Sequence, residues 1–224
     1  MILAVDNVLN SDETNFLLGL FDATESHHGA ATAQGDVKEL KHNKQLLLGE
    51  RAPEVRQCVL EALNRHPHLS YALLPKTVSM PALSVYEPGM AYGPHTDAHL
   101  GQHGGAFFRC DISCTIFLSD PASYDGGALT IRTPEGAKDY KLAAGSAVFY
   151  PTTYIHLVNE VTAGERKACI MWFESFVRDH MQRWMLYELQ QIRAWMDTNQ
   201  PITSEPRQRL VNFCENLNRM WVET

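Results

Sequence analysis

The chain has 224 residues, 45% of them apolar, which is enough for one sizeable core, and it is expected to be globular throughout. A formal charge of -7 and a pI near 5.8 argue against general affinity for nucleic acid or anionic membranes, since both require an excess of Lys and Arg. No apolar run is long enough to cross a bilayer, and Met1 to Asp6 lack the charged start and long apolar stretch of a signal peptide, so a cytoplasmic protein is expected.

Residues 1–77 read as an α/β supporting region. A short apolar strand over 2–5 leads to a helix signal: Asn10 or Ser11 as cap, Glu13 in the first turn, and Phe16, Leu17, Leu20 and Phe21 at helical spacing. His27 and His28 read as solvated surface, and 29–35 as a loop. A second helix is predicted from Pro53, a good first-turn residue, through Val55, Val59, Leu60 and Leu63 to a stop before Pro67.

Over 78–177 the pattern changes to short β runs at 78–86, 111–118, 128–132, 146–150, 155–161 and 166–176, separated by Gly, Pro, Asp and Asn. Strands at this spacing without intervening helices suggest a sandwich, jelly roll or barrel. The jelly roll is favoured, because the chemically active residues then fall near strand ends around an open mouth. Over 178–224 the period becomes helical again. Met181, Trp184, Met185, Tyr187, Leu189, Ile192 and Trp195 trace one amphipathic helix, and Leu210, Val211, Phe213, Cys214, Leu217 and Trp221 a second from about Ser204. The Pro-containing link predicts an antiparallel helical hairpin on the barrel, with its Trp and Met residues in the core or at a subunit interface. These apolar helices suit either a homodimer or closure of the barrel edge. The fold expected is thus mainly β with flanking helices. The five cysteines include no Cys-x-x-Cys pair and read as reduced core residues, with Cys110 and Cys114 on one strand face.

The chemistry concentrates in a few positions. In His95-Thr96-Asp97, residues two apart near a strand end point the same way, so His95 and Asp97 can share a metal while Thr96 faces away. His156 lies far enough downstream to return to the same cavity on another strand. Two imidazoles and a carboxylate cover one face of an octahedral Fe(II) and leave positions open for substrate and O₂.

Alone, His-x-Asp is a weak signal, and its neighbours strengthen it. Tyr86-Glu87-Pro88-Gly89 to Gly93-Pro94 lie upstream. Downstream come Asp125-Gly126-Gly127-Ala128-Leu129, then Gly145 to Pro151, then His156 with Val158, Gly164 and Arg166. This ordered series resembles the Fe(II)- and 2-oxoglutarate-dependent dioxygenases, and within them the prolyl/lysyl hydroxylase-like PKHD-type hydroxylases of bacteria.

The resemblance implies a double-stranded β-helix (jelly roll) with His95, Asp97 and His156 on Fe(2+), Arg166 on the distal carboxylate of 2-oxoglutarate, and Tyr86 beside that co-substrate. It also implies hydroxylation of a small-molecule or peptidyl substrate with release of succinate and CO₂, L-ascorbate as reductant, and a link to bacterial iron homeostasis. An Arg suits the carboxylate better than Lys, because its planar fork donates two parallel hydrogen bonds. If 155–161 and 166–176 pair as a hairpin, Arg166 lies opposite a point roughly four residues from His156, or about 13 Å along the strand. A five-carbon diacid and an extended Arg can span that gap. His99, His103 and Arg109 are candidates for the substrate entrance, and Arg132 reads as a solvated strand-end charge. Two other readings stand beside this one: a non-catalytic iron or 2-oxoglutarate sensor, and a cupin-like zinc enzyme. The single carboxylate and distant Arg fit iron and a diacid better.

Overall fold

Strands whose two faces carry different residues organise this protein. A computed structural model describes residues 1–32, 35–201 and 203–224, all but residue 36 with their side chains. The N-terminal region comprises β1 (Leu3–Val5), α1 (Ser11–Ala23), β2 (Ser26–His28), β3 (Lys41–His42), β4 (Lys44–Leu46), α2 (Ala52–Asn64), α3 (Pro67–Leu73) and β5 (Pro75–Val78). Then follow β6 (Ala82–Tyr86), β7 (Ala91–His95), β8 (Leu100–His103), β9 (Ala106–Arg109), β10 (Ile112–Phe117) and β11 (Tyr124–Gly126). Next come β12 (Leu129–Thr133), β13 (Gly136–Tyr140), β14 (Ala147–Pro151), β15 (His156–Val158), β16 (Val161–Gly164) and β17 (Arg166–Ser175). Helices α4 (His180–Asn199) and α5 (Glu205–Trp221) close the chain.

The major sheet has eight strands in the order β1-β14-β10-β17-β6-β4-β2, with β5 also pairing β17. The minor sheet runs β13-β12-β15-β7-β3, and β11-β16 and β8-β9 form two ribbons. Period-2 alternation gives the major sheet two unlike faces. Ile112, Cys114 and Ile116 of β10, Phe149 of β14, and Cys169, Met171 and Phe173 of β17 pack in one core with Leu17, Leu20, Val55, Val59 and Leu63 of the N-terminal helices. On the opposite face Tyr86, Phe117, Val148 and Tyr150 meet Leu129, Ile131 and Val158 of the minor sheet. Both faces of β10 are therefore covered, and all six of its residues are buried.

The N-terminal helices are set by local chemistry. Asn10 caps α1 in a reciprocal box: the Glu13 amide donates to Asn10 Oδ1 and the Asn10 amide to Glu13 Oε2, both at 2.9 Å. Arg65, just past α2, holds the same Glu13 carboxylate, which ties the two helices together.

Several expectations are corrected. Run 78–86 is two strands, β5 and β6, because Pro81 lies between them and cannot donate to a ladder. Runs 155–161 and 166–176 do not form a hairpin: β15 pairs β12 and β7 in the minor sheet, whereas β17 pairs β10 and β6 in the major one. The segment from Pro67 adds a further helix, α3, and the surface residues His27 and His28, half-buried and exposed respectively, lie in β2 on the edge of the major sheet. Of the expected loop 29–35, residues 29–32 form one 3-10 turn and Gly35 opens another that runs to Leu40, while 33 and 34 lie outside the described residues. Between β7 and β10, residues 100–109 form the β8-β9 ribbon. Cys110 precedes β10 and is half-buried, as is Cys58, so it does not share the core face of Cys114. In the C-terminal hairpin α4 packs against α5 and α3, but Trp184, Met185, Ile192, Trp195, Phe213 and Met220 are exposed rather than core. No helix among the described residues is long and apolar enough to cross a membrane.

Candidate active site

His95 ends β7, His156 opens β15, and the antiparallel register pairs the two residues directly. Neighbouring strands of the minor sheet thus bring their imidazoles side by side, with ring centroids 4.2 Å apart. Asp97 lies two residues beyond the end of β7. Its two carboxylate oxygens lie 3.7 Å from His95 Nε2 and 3.6 Å from His156 Nε2. One ligand atom from each residue falls within 4.8 Å of the others, a spacing of atoms gathered around a common centre.

Supporting contacts fix the ligand atoms. His95 Nδ1 lies 2.8 Å from the Gly93 carbonyl and His156 Nδ1 lies 3.1 Å from that of Tyr154. A carbonyl only accepts, so each Nδ1 carries the hydrogen and each Nε2 presents its lone pair. The Ser113 hydroxyl donates to Asp97 Oδ2 at 2.6 Å and orients the carboxylate. Tyr92 stacks on His95 at 3.6 Å between ring centroids, and Tyr150 meets His156 edge-on. Burial, assisted by neighbouring His156, pushes His95 down to about 4, so the neutral, ligating imidazole is the form present at neutral pH. Two imidazoles and a hydrogen-bonded carboxylate fit a first-row divalent cation with open positions.

Across the sandwich, Arg166 opens β17 on the cavity face of the major sheet. It is 1% exposed, and its Nε and both terminal nitrogens have no hydrogen-bond partner. Its guanidinium carbon sits 5.2 Å from the Tyr86 ring centroid and 5.6 Å from that of Phe117. A buried cation without an anion is costly, so this one calls for a carboxylate from outside the chain. Arg166 and the triad line one cavity of about 470 Å³, large enough for a small co-substrate together with part of a second molecule. Since β15 and β17 lie in facing sheets, the span from metal site to Arg166 runs across the sandwich, where sheets stand about 10 Å apart. Gly127, at φ +62°, closes over the arginine stem; a Cβ there would lie 3.2 Å from Arg166 Cδ and 2.9 Å from Val161 Cγ2.

Residues 81–174 match the 2OG-Fe(II) oxygenase superfamily. A PKHD-type hydroxylase of Thermosynechococcus vestitus is 38% identical over 224 residues, covering 100% of both chains. One of Crocosphaera subtropica is 41% identical over 196 residues, covering 86% of this chain and 87% of its own. The chain belongs to the PKHD-type hydroxylases. It is an iron- and 2-oxoglutarate-dependent oxygenase in the fold of that superfamily. Among solved structures, a Trichoplax adhaerens prolyl hydroxylase in complex with a hypoxia-inducible factor peptide fragment aligns with a TM-score of 0.59 and 14% identity. That alignment covers 78% of this chain and 83% of the other, and it shows the double-stranded β-helix fold alone.

Within the hydroxylase, Tyr86 is paired in register with Arg166 and is 4% exposed. Burial pushes its phenol up to about 12, which keeps it neutral at physiological pH. His99 lines the cavity. His103 does not: it faces a separate groove with Pro53, Arg56, Gln57 and Met80, because the β8-β9 ribbon turns its tip towards α2. Arg109 is also absent from the cavity wall. It is tied to Asp111, Glu174 and Glu223, and donates to the Ser175 carbonyl at 3.0 Å, so it fastens the C-terminal tail to β17. Sequence reasoning missed Ser113, Tyr92, Lys41, Asn43 and Trp172. For Ser113 a signal exists, since Ser113 and Thr115 interrupt an otherwise apolar run at period two. Lys41 lies in the two-residue strand β3 and Asn43 in the one-residue break before β4, both too short to show any periodicity.

Proposed function

We propose that this hydroxylase oxidises a small-molecule or peptidyl substrate at an iron(II) held by His95, Asp97 and His156, with the distal carboxylate of 2-oxoglutarate on Arg166. One observation carries the reading: a fully buried, partnerless guanidinium shares a cavity with three convergent metal-ligand atoms. When bound, iron and 2-oxoglutarate supply the oxidising chemistry, with succinate and CO₂ as products. The protein's residues bind and orient. The Arg166 fork offers parallel donors to both carboxylate oxygens, and the Tyr86 phenol offers a further donor beside it. Ser113 and the Gly93 and Tyr154 carbonyls hold the three ligands in place, so little reorganisation is needed on loading. Leu129, Val158 and Ile170 in the wall exclude water from the reacting centre.

L-ascorbate as reductant for iron oxidised in idle turnovers belongs to the same reading. So does residence in a reducing cytoplasm, which five free cysteines support. The exposed Trp184, Met185, Trp195 and Phe213 support a second copy of the chain on the helical hairpin, which sedimentation would detect as a homodimer.

The test is turnover. Anaerobically iron-loaded protein given 2-oxoglutarate and then O₂ is expected to form succinate, and the His156→Ala variant is expected to form none. Absence of succinate above background in the wild type, with every substrate class tried, contradicts the proposal.

A further inference from the structure

We propose that Lys41 is a substrate anchor, and that the primary substrate of this cavity carries a carboxylate. The inference rests on the function proposed above and deepens it. Lys41 is 8% exposed and lines the cavity beside the metal site, paired in register with Tyr92, the residue that stacks on His95. Its ammonium donates to Thr32 Oγ1 at 2.8 Å and lies 5.3 Å from the Tyr92 ring centroid. The Thr32 hydroxyl donates onward to Gln45 Oε1 at 2.7 Å, so the contact that holds the ammonium is itself held. Burial pulls Lys41 down to about 8, with attraction to Asp97 opposing the fall, and most of the population is charged at neutral pH.

Charge balance makes this cation informative. Asp97 is the only carboxylate among the described residues that line the cavity. In the loaded site, iron(II), Asp97, Arg166 and doubly charged 2-oxoglutarate cancel one another. Lys41 then leaves one positive charge in a largely desolvated space, and one negative charge on the substrate would neutralise it. The walls also offer polar groups: Trp172 Nε1 is buried without a partner, and the Asn43 side-chain amide lies beside the Tyr86 phenol. Such groups favour a small polar acid over an apolar guest, because an apolar guest leaves them unsatisfied.

The experiment uses anaerobic wild-type protein carrying iron(II) and 2-oxoglutarate, followed by its metal-to-ligand charge-transfer absorption. Three sets of probes are titrated in: N-acetyl amino acids, their carboxamides, and N-acetyl-aspartyl amide, whose acid lies on a side chain. The acids are expected to perturb the absorption at concentrations at least tenfold lower than the carboxamides. A response to the first or third set tells a free acid from an acidic side chain. In Lys41→Met the preference for acids is expected to vanish while 2-oxoglutarate affinity shifts less than threefold, and Lys41→Arg is expected to restore part of the preference. Equal response to acids and amides in the wild type overturns the proposal. So does a tenfold or greater loss of 2-oxoglutarate affinity in Lys41→Met, which would put Lys41 on the co-substrate beside Arg166. Should Lys41→Met fail to fold, the preference of the wild type and its retention in Lys41→Arg decide the matter. A wild type that forms no absorption with iron(II) and 2-oxoglutarate overturns the function itself, a result distinct from either failure above.

Discussion

The two faces of strands β10, β14 and β17 make an instructive contrast. Towards the helices, Cys114, Ile116, Phe149, Cys169, Met171 and Phe173 are at most 2% exposed and enclosed by other apolar side chains. Towards the cavity, the same strands present Ser113, Thr115, Tyr150, Arg166 and Trp172, and the side-chain nitrogens of Arg166 and Trp172 have no hydrogen-bond partner in the protein. One backbone thus serves two purposes by alternation: one face supplies folding energy, and the other spends part of it holding groups that need a ligand. Substitutions on the two faces should therefore fail differently.

The largest separation is expected between His156→Ala and Phe173→Ala. Loss of the ligand should lower turnover by roughly a thousandfold or more, corresponding to several kcal/mol of metal-derived stabilisation, with little change in the denaturant midpoint. Loss of the buried ring should cost about 3–5 kcal/mol of folding stability, read in urea, while the folded fraction binds 2-oxoglutarate as before. Equal loss of stability in both variants would show that the two faces are not distinct in role.

A smaller effect is expected at Ser113, whose hydroxyl touches Asp97 and no reacting atom. Ser113→Ala should weaken metal affinity by about 10- to 100-fold, measured by competition with a chelating dye, without loss of fold. The smallest effect concerns pH. In the metal-free protein His95 is held near 4, below its ordinary value of 6.5, mainly by burial. As pH falls the unfolded chain takes up this proton first, so folding stability should be full above about 6.5 and decline towards about 4. Thermal melts at stepped pH should show the decline, and His95→Gln should flatten it. A flat wild-type profile would contradict the burial of this imidazole.

How much of this was legible from sequence follows the same division. Period-two alternation revealed β10, β12, β14 and β17, and the order of Gly-punctuated runs around His95, Asp97, His156 and Arg166 carried the family. The structure brings all four residues to one cavity. Pairing was not legible, because alternation fixes which way a side chain points and not which strand lies beside it. Hence 155–161 and 166–176 read as a hairpin although they lie in facing sheets. Strands as short as β3 and β4 leave no periodic trace, so Lys41 and Asn43 entered the site unannounced. Arg109 and His103 follow the triad closely in sequence, but ion pairs to Asp111, Glu174 and Glu223 and the direction of the β8-β9 ribbon carry them away from it.

The decisive titration is of 2-oxoglutarate into anaerobic, iron(II)-loaded wild type and the Arg166→Met variant, whose thioether removes the charge but keeps a long apolar stem. Saturable binding by the wild type, weakened in the variant by roughly 30- to 1,000-fold as expected for loss of one partner of a buried charge pair, is the predicted result. Equal affinity in the two proteins would contradict the assignment of that buried guanidinium to the co-substrate.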